Sequence, residues 1–114
     1  MRSREALLIH QILEAVRQIE IYFDDVDRTD FLQNQLLQDA VALRFIQIGE
    51  AAARLVEADV TIPSRYTAVP WAEMRGLRNR LVHAYGSIDQ EAVWDTAKLF
   101  LPDLKSALSQ LPIE

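Results

Sequence analysis

The chain has 114 residues, the size of one domain with a radius of gyration of about 13 Å. Half of its residues are hydrophobic and a quarter are charged, which is too apolar a composition for a disordered chain. The absence of cysteine excludes disulfides, cysteine-ligated zinc and thiol nucleophiles, and it favours the reducing cytoplasm. The chain starts without the apolar run of a signal peptide, and no run is long enough to span a membrane. We expect residues 1–114 to form a single cytoplasmic domain with no membrane contact.

The charge is unevenly distributed along the chain. The net charge is −5, which argues against indiscriminate binding to polyanions. Residues 61–86 carry the only positive excess, with four arginines against one glutamate. We therefore expect any contact with phosphate groups to lie in this segment.

The first half of the chain predicts two long helices. Apolar residues recur at steps of three and four over 5–23 and again over 31–57. An acidic loop separates them, and Asp30 is the expected N-cap of the second helix. This second helix should form the spine of a bundle. Its Gly49 and the following alanines form a smooth patch that another helix can approach closely.

The second half predicts a connector and a third helix. The connector spans 61–66, and the third helix spans about 70–84. Pro70 suits the first turn of this helix, where a missing amide hydrogen costs nothing. Gly86 is expected to terminate it in a left-handed conformation.

The last helix completes an all-α chain. It can begin at Ser87 or Asp89, and Pro102 inside it predicts a kink or a break. Trp71 and Trp94 are interpreted as aromatic residues of the core or of a dimer contact. The predicted architecture is a four- to five-helix up-and-down bundle.

The candidate site residues lie near the end of the third helix. They are Arg78, Asn79, Arg80, His83 and Tyr85. Arginine presents a planar fork that fits phosphate oxygens, and histidine exchanges a proton near neutral pH. Together these groups are sufficient to cleave RNA without a metal ion or a cofactor. A solvated basic helix face is the alternative reading of the same residues.

Helical geometry limits how these groups can act together. At 100° per residue, Arg78 and His83 are about 140° apart on an ideal helix, whereas Arg78 and Tyr85 are about 20° apart. His83 instead lines up with Asn79 and Arg80. Either the helix is distorted near its end, or the same segment of a second chain completes the site across a two-fold axis. We favour the second route.

The segment from Arg78 to Tyr85 resembles the Arg-x4-His-x-Tyr signature of HepT-type toxins. These toxins are a branch of the HEPN (higher eukaryotes and prokaryotes nucleotide-binding) superfamily. Several other segments also match this family, so the resemblance covers most of the chain and is specific to the family. Besides the signature, the likeness covers residues 45–55, 62–63, 70–77, 87–89 and 93–94.

The resemblance implies a HEPN-like helical homodimer that acts as an endoribonuclease. Arg78 and His83 would be its catalytic residues, RNA its substrate, with tRNA among the candidates. It also implies a type VII toxin–antitoxin pair, in which a minimal nucleotidyltransferase of the MntA type is the antitoxin. In such pairs the tyrosine of the signature, here Tyr85, receives AMP groups that block the site.

Two questions stay open at the level of sequence. Glu50 lies in an apolar stretch and either pairs with Arg44 or Arg54 or positions a catalytic arginine. His10 lacks the spacing of a metal ligand and has no assigned role. As an alternative function, the chain is a non-catalytic adaptor that binds nucleotide or presents substrate to a minimal nucleotidyltransferase.

Overall fold

The computed structural model describes residues 1–113, and these residues form helices and turns without a strand. Four long helices confirm the all-α prediction, while two short ones, α2 and α4, occupy the predicted acidic loop and connector. None of the helices in residues 1–113 is long and apolar enough to cross a membrane. In chain order the helices are α1 (Ser3–Tyr22), α2 (Arg28–Leu32), α3 (Gln35–Ala58), α4 (Ile62–Arg65), α5 (Trp71–Ala84) and α6 (Gln90–Ser109).

Helix α3 is the centre of the bundle, as the sequence predicted for its longest helix. Helices α1 and α5 both pack along α3, and α6 packs against α1 and α2. The bundle measures 42 by 29 by 20 Å. Helices α3 and α5 run antiparallel, since Glu50 of α3 pairs with Arg78 and the earlier Asp39 with the later Tyr85. The residues that α3 buries are Val41, Ala42, Phe45, Ile48, Gly49, Ala51, Ala52 and Leu55.

The predicted start of the second long helix is wrong by four residues. Asp27, not Asp30, is an N-cap, and its carboxylate accepts a hydrogen bond from the Asp30 amide at 2.8 Å. Helix α3 begins only after Asn34, whose side chain accepts from the Leu37 amide at 3.0 Å. The apolar pattern ran on because Phe31 is also buried, although it belongs to the short helix α2.

An aromatic cluster fixes α2 against the bundle. The rings of Phe23, Phe31 and Trp94 pack with centroids 4.8 to 5.6 Å apart. Trp71 is buried as well, and its indole N–H donates to the carbonyl of Tyr66 at 3.0 Å. Both tryptophans therefore belong to the core of this chain, in agreement with one of the two expected roles.

Helix α5 has the predicted bounds to within one residue, but Pro70 and Gly86 do not have their predicted roles. Pro70 is the N-cap rather than a first-turn residue. Gly86 has no positive φ, so the expected left-handed terminator is wrong. A 3₁₀ turn at Tyr85–Ser87 ends the helix instead, and the Ile88 amide donates to the Tyr85 carbonyl at 3.1 Å.

Helix α6 starts at one of the two predicted caps and does not break. Asp89 accepts a hydrogen bond from the Glu91 amide at 3.0 Å. The helix then continues through Pro102 to Ser109, so of the predicted kink or break, the break is wrong. Pro102 is exposed, while Leu101 and Leu104 on either side are buried and hold the helix against the core.

Candidate functional site

A close helix contact fixes the base of the Arg78 side chain. A Cβ atom at Gly49 on α3 would clash with the Cβ of Arg78 and lie 2.8 Å from the Met74 carbonyl oxygen. Only glycine lets α3 and α5 approach this closely. At Gly49, the predicted smooth patch is therefore the place where α5 of the same chain packs against α3.

The guanidinium of Arg78 is held by two neighbours. Its Nε donates to Glu50 Oε1 at 2.5 Å, and its Nη1 donates to Asn79 Oδ1 at 2.9 Å. The side chains of Arg78 and Glu50 keep 31% and 39% of their surface exposed. A guanidinium has five N–H donors, so these two bonds leave three for a ligand such as a phosphate.

The pairing of Glu50 settles one of the open alternatives. Its ion pair joins Arg78, which the antiparallel helix α5 brings across from it, and not Arg44 or Arg54. Arg44 instead donates to the Tyr22 hydroxyl and to Gln47, both at 3.2 Å. The pairing expected within α3 is therefore wrong, because the ion pair forms across the contact with α5.

His83 does not lie beside Arg78 in one chain. Its exposed imidazole is in the last turn of α5, which stays α-helical as far as Ala84. The angle of about 140° between the two positions is therefore kept, since the helix departs from regular geometry only after His83. Of the two routes to a shared site, distortion of the helix is not observed.

Arg80 faces a different part of the bundle. It lines a groove between α5 and α6 together with Leu77 and Phe100. The structure thus brings Asn79 and Glu50 to Arg78, whereas Arg80 lies elsewhere. Within residues 1–113, no three His, Asp or Glu side chains are grouped so that they could hold a metal ion.

Tyr85 lies just past the end of α5, in the 3₁₀ turn, and it also contacts α3. Its hydroxyl donates a hydrogen bond to the carboxylate of Asp39. The phenol borders a groove whose other walls include Ala42, Ile46 and Leu81. Burial, reinforced by the hydrogen bond to Asp39 and its negative charge, raises the pKa of Tyr85 to about 12.

Asp39 is a site residue that the sequence analysis missed. It lies eleven residues, or about three turns, before Glu50, so the two carboxylates share one stripe of α3. Arg78 and Tyr85 are spaced by two turns on the facing segment. Both spacings were present in the sequence, but they indicate a contact only once α3 and α5 are known to be antiparallel neighbours.

The profile of the family described as "Ribonuclease HepT-like" matches residues 12–111. The chain therefore belongs to the HepT-like ribonuclease family. This confirms the resemblance seen in the signature, and the enzyme class expected from the sequence is that of the family.

Individual relatives agree with the family assignment. A "Probable ribonuclease HepT" of Thermococcus cleftensis is 31% identical over 103 residues, which are 90% of this chain and 91% of that protein. A "Putative RNase" of Methanocaldococcus jannaschii is 29% identical over 103 residues, 90% of this chain and 86% of the relative. The "Gamma-glutamylcyclotransferase and putative RNase" of the same organism is 32% identical over 111 residues, 97% of this chain. The chain spans 49% of that last relative, about half its length. No solved structure matches the chain significantly.

Proposed function

We propose that the chain is the toxin of a type VII toxin–antitoxin pair, a metal-independent endoribonuclease of the cytoplasm with Arg78 and His83 as its catalytic residues. The observation that carries this proposal is the guanidinium of Arg78, held by Glu50 and Asn79 with three N–H donors that no residue of 1–113 uses. His83, the second catalytic group, has an exposed imidazole that RNA can reach.

The proposed reaction uses the RNA itself as the nucleophile. His83 takes the proton of a 2′-hydroxyl as its oxygen attacks the adjacent phosphorus, and Arg78 stabilises the charge on the pentacoordinate phosphorus. The bond to the 5′-oxygen then breaks, and that oxygen takes up a proton. The products are a 2′,3′-cyclic phosphate and a 5′-hydroxyl, without a metal ion or a cofactor.

A homodimer is proposed because the two catalytic groups diverge on α5. An isologous contact would set Arg78 of one subunit beside His83 of the partner subunit. Exposed apolar side chains beside this segment support such a contact. Leu43 of α3 and Val82 of α5 are 53% and 45% exposed, and both border the groove at Tyr85.

Regulation is proposed to act through Tyr85. A minimal nucleotidyltransferase of the MntA type would serve as antitoxin and transfer AMP to the phenol oxygen. Each AMP group adds bulk and negative charge beside the segment that carries Arg78. The adduct would exclude RNA and neutralise the charge that binds its phosphate.

The test is cleavage of total RNA and of tRNA by the purified chain in EDTA. We expect cleavage that leaves 2′,3′-cyclic phosphate ends and that drops at least a hundredfold in Arg78→Ala and in His83→Ala. Arg75→Ala is the matched control, because it removes an exposed arginine from the same helix. Full activity in either catalytic variant would contradict the assignment. A stable complex with a nucleotidyltransferase and no cleavage would favour the adaptor instead.

A further inference from the structure

Besides Glu50, helix α3 carries a second carboxylate that contacts the segment after α5. This carboxylate belongs to Asp39, about three turns before Glu50. Its carboxylate accepts the hydrogen bond of the Tyr85 hydroxyl, and Gln90 at the start of α6 places its side chain against the same hydroxyl. The phenol is therefore held between a carboxylate and an amide. The ribonuclease reaction above does not use Asp39.

We propose that Asp39 is the general base for nucleotidyl transfer to Tyr85, so that the acceptor chain supplies part of the catalysis of its own modification. This inference rests on the modification of Tyr85 proposed above. The Tyr85 oxygen attacks the α-phosphorus of a nucleoside triphosphate bound by the partner enzyme. The new phosphorus–oxygen bond replaces the bond to pyrophosphate, which leaves, and the phenol proton passes to Asp39 and then to water.

The chemistry of the phenol explains why a base is needed. A tyrosine hydroxyl is neutral at pH 7, and burial beside Asp39 raises the pKa of Tyr85 to about 12. The hydroxyl must therefore lose its proton while the new bond forms. A carboxylate that already accepts its hydrogen bond is in place to take that proton. Protein kinases use an aspartate in the same way on the hydroxyl of their substrates.

The contact also singles out one tyrosine. All three tyrosines are partly buried, so burial does not distinguish Tyr85 from Tyr22 and Tyr66. The hydrogen bond shown for the Tyr22 hydroxyl comes from Arg44. An arginine can donate a hydrogen bond but cannot take a proton at neutral pH. Tyr85 is thus the tyrosine for which the structure shows a carboxylate acceptor on the hydroxyl.

The first experiment compares the wild type with Asp39→Asn. Asparagine keeps an oxygen that accepts a hydrogen bond, but it cannot take up a proton. Each chain is incubated with the partner nucleotidyltransferase and magnesium ATP, and AMP addition at Tyr85 is followed by peptide mass spectrometry. We expect the rate to fall about a hundredfold in Asp39→Asn. Asp103→Asn, which changes an exposed aspartate of α6, should keep the wild-type rate.

The outcomes separate this inference from the function on which it rests. Equal rates in the wild type and in Asp39→Asn would overturn the role of Asp39 alone. A wild type that is never modified at Tyr85 would overturn the proposed regulation and, with it, this inference.

A second measurement uses the chain alone. N-acetylimidazole acetylates phenols, and the ratio of acetylation at Tyr85 to that at Tyr66 gives an internal control. If Asp39 takes the proton, this ratio falls in Asp39→Asn. If Asp39 only ties the phenol to α3, the ratio stays constant or rises, and the proposal is wrong.

Discussion

At the scale of single residues, the ion pair with Glu50 fixes the position of the Arg78 guanidinium. Glu50→Gln keeps the shape of the side chain but removes its charge, so the guanidinium is held less firmly. We expect the cleavage rate to fall about tenfold, equivalent to about 1.4 kcal/mol in the activation free energy. A pair that is partly exposed contributes at most about 1 kcal/mol to folding, so the melting temperature should change little.

The control for this variant is Glu57→Gln, an exposed glutamate two turns further along α3. Both variants change the net charge equally, but Glu57 is not paired with Arg78. Equal losses of activity in the two would show that overall charge, rather than the position of the guanidinium, sets the rate.

At the scale of helices, the contact between α3 and α5 both stabilises the bundle and positions Arg78. Gly49→Ala would place a methyl group against Arg78 and the Met74 carbonyl oxygen. Because both neighbours belong to the body of α5, the helices must separate. We expect a loss of about 1–3 kcal/mol in the free energy of unfolding, measured with urea, together with reduced cleavage by the variant that remains folded.

Gly86→Ala is the matched control for the helix contact. No atom lies within 4 Å of the position where its Cβ would be, and its φ is not positive. Its free energy of unfolding should stay within about 1 kcal/mol of the wild type. A similar loss in both variants would show that glycine is needed for its backbone freedom and not for the close approach.

At the scale of the whole molecule, the divergence of Arg78 and His83 makes a mixing experiment decisive. Arg78→Ala and His83→Ala chains are each inactive under the proposed mechanism. If one subunit supplies the arginine and its partner the histidine, a mixed dimer has one intact site and one without either group. Random exchange of subunits should then restore about a quarter of the wild-type cleavage rate. No recovery after complete exchange would place both groups in one subunit.

The sequence by itself determined the class of fold and the family. Helical periodicity needs only local information, because the spacing of apolar residues reports one buried face whatever that face contacts. The four long helices were predictable for this reason, whereas the cap of α6 stayed open between Ser87 and Asp89 and the tryptophans between the core and a dimer contact. The signature from Arg78 to Tyr85 could also be recognised from local information, since all of its residues lie within three turns.

Only the tertiary structure decided which side chains meet. Glu50 pairs with Arg78 and Asp39 with Tyr85 because α5 lies antiparallel to α3 at the close contact of Gly49. Local spacing had favoured a partner for Glu50 within α3. The start of α3 was also missed, because Asp27 and Asn34 each cap a separate helix and the buried Phe31 between them extends the apolar pattern. Contacts between helices depend on their relative position, which no single helical pattern contains.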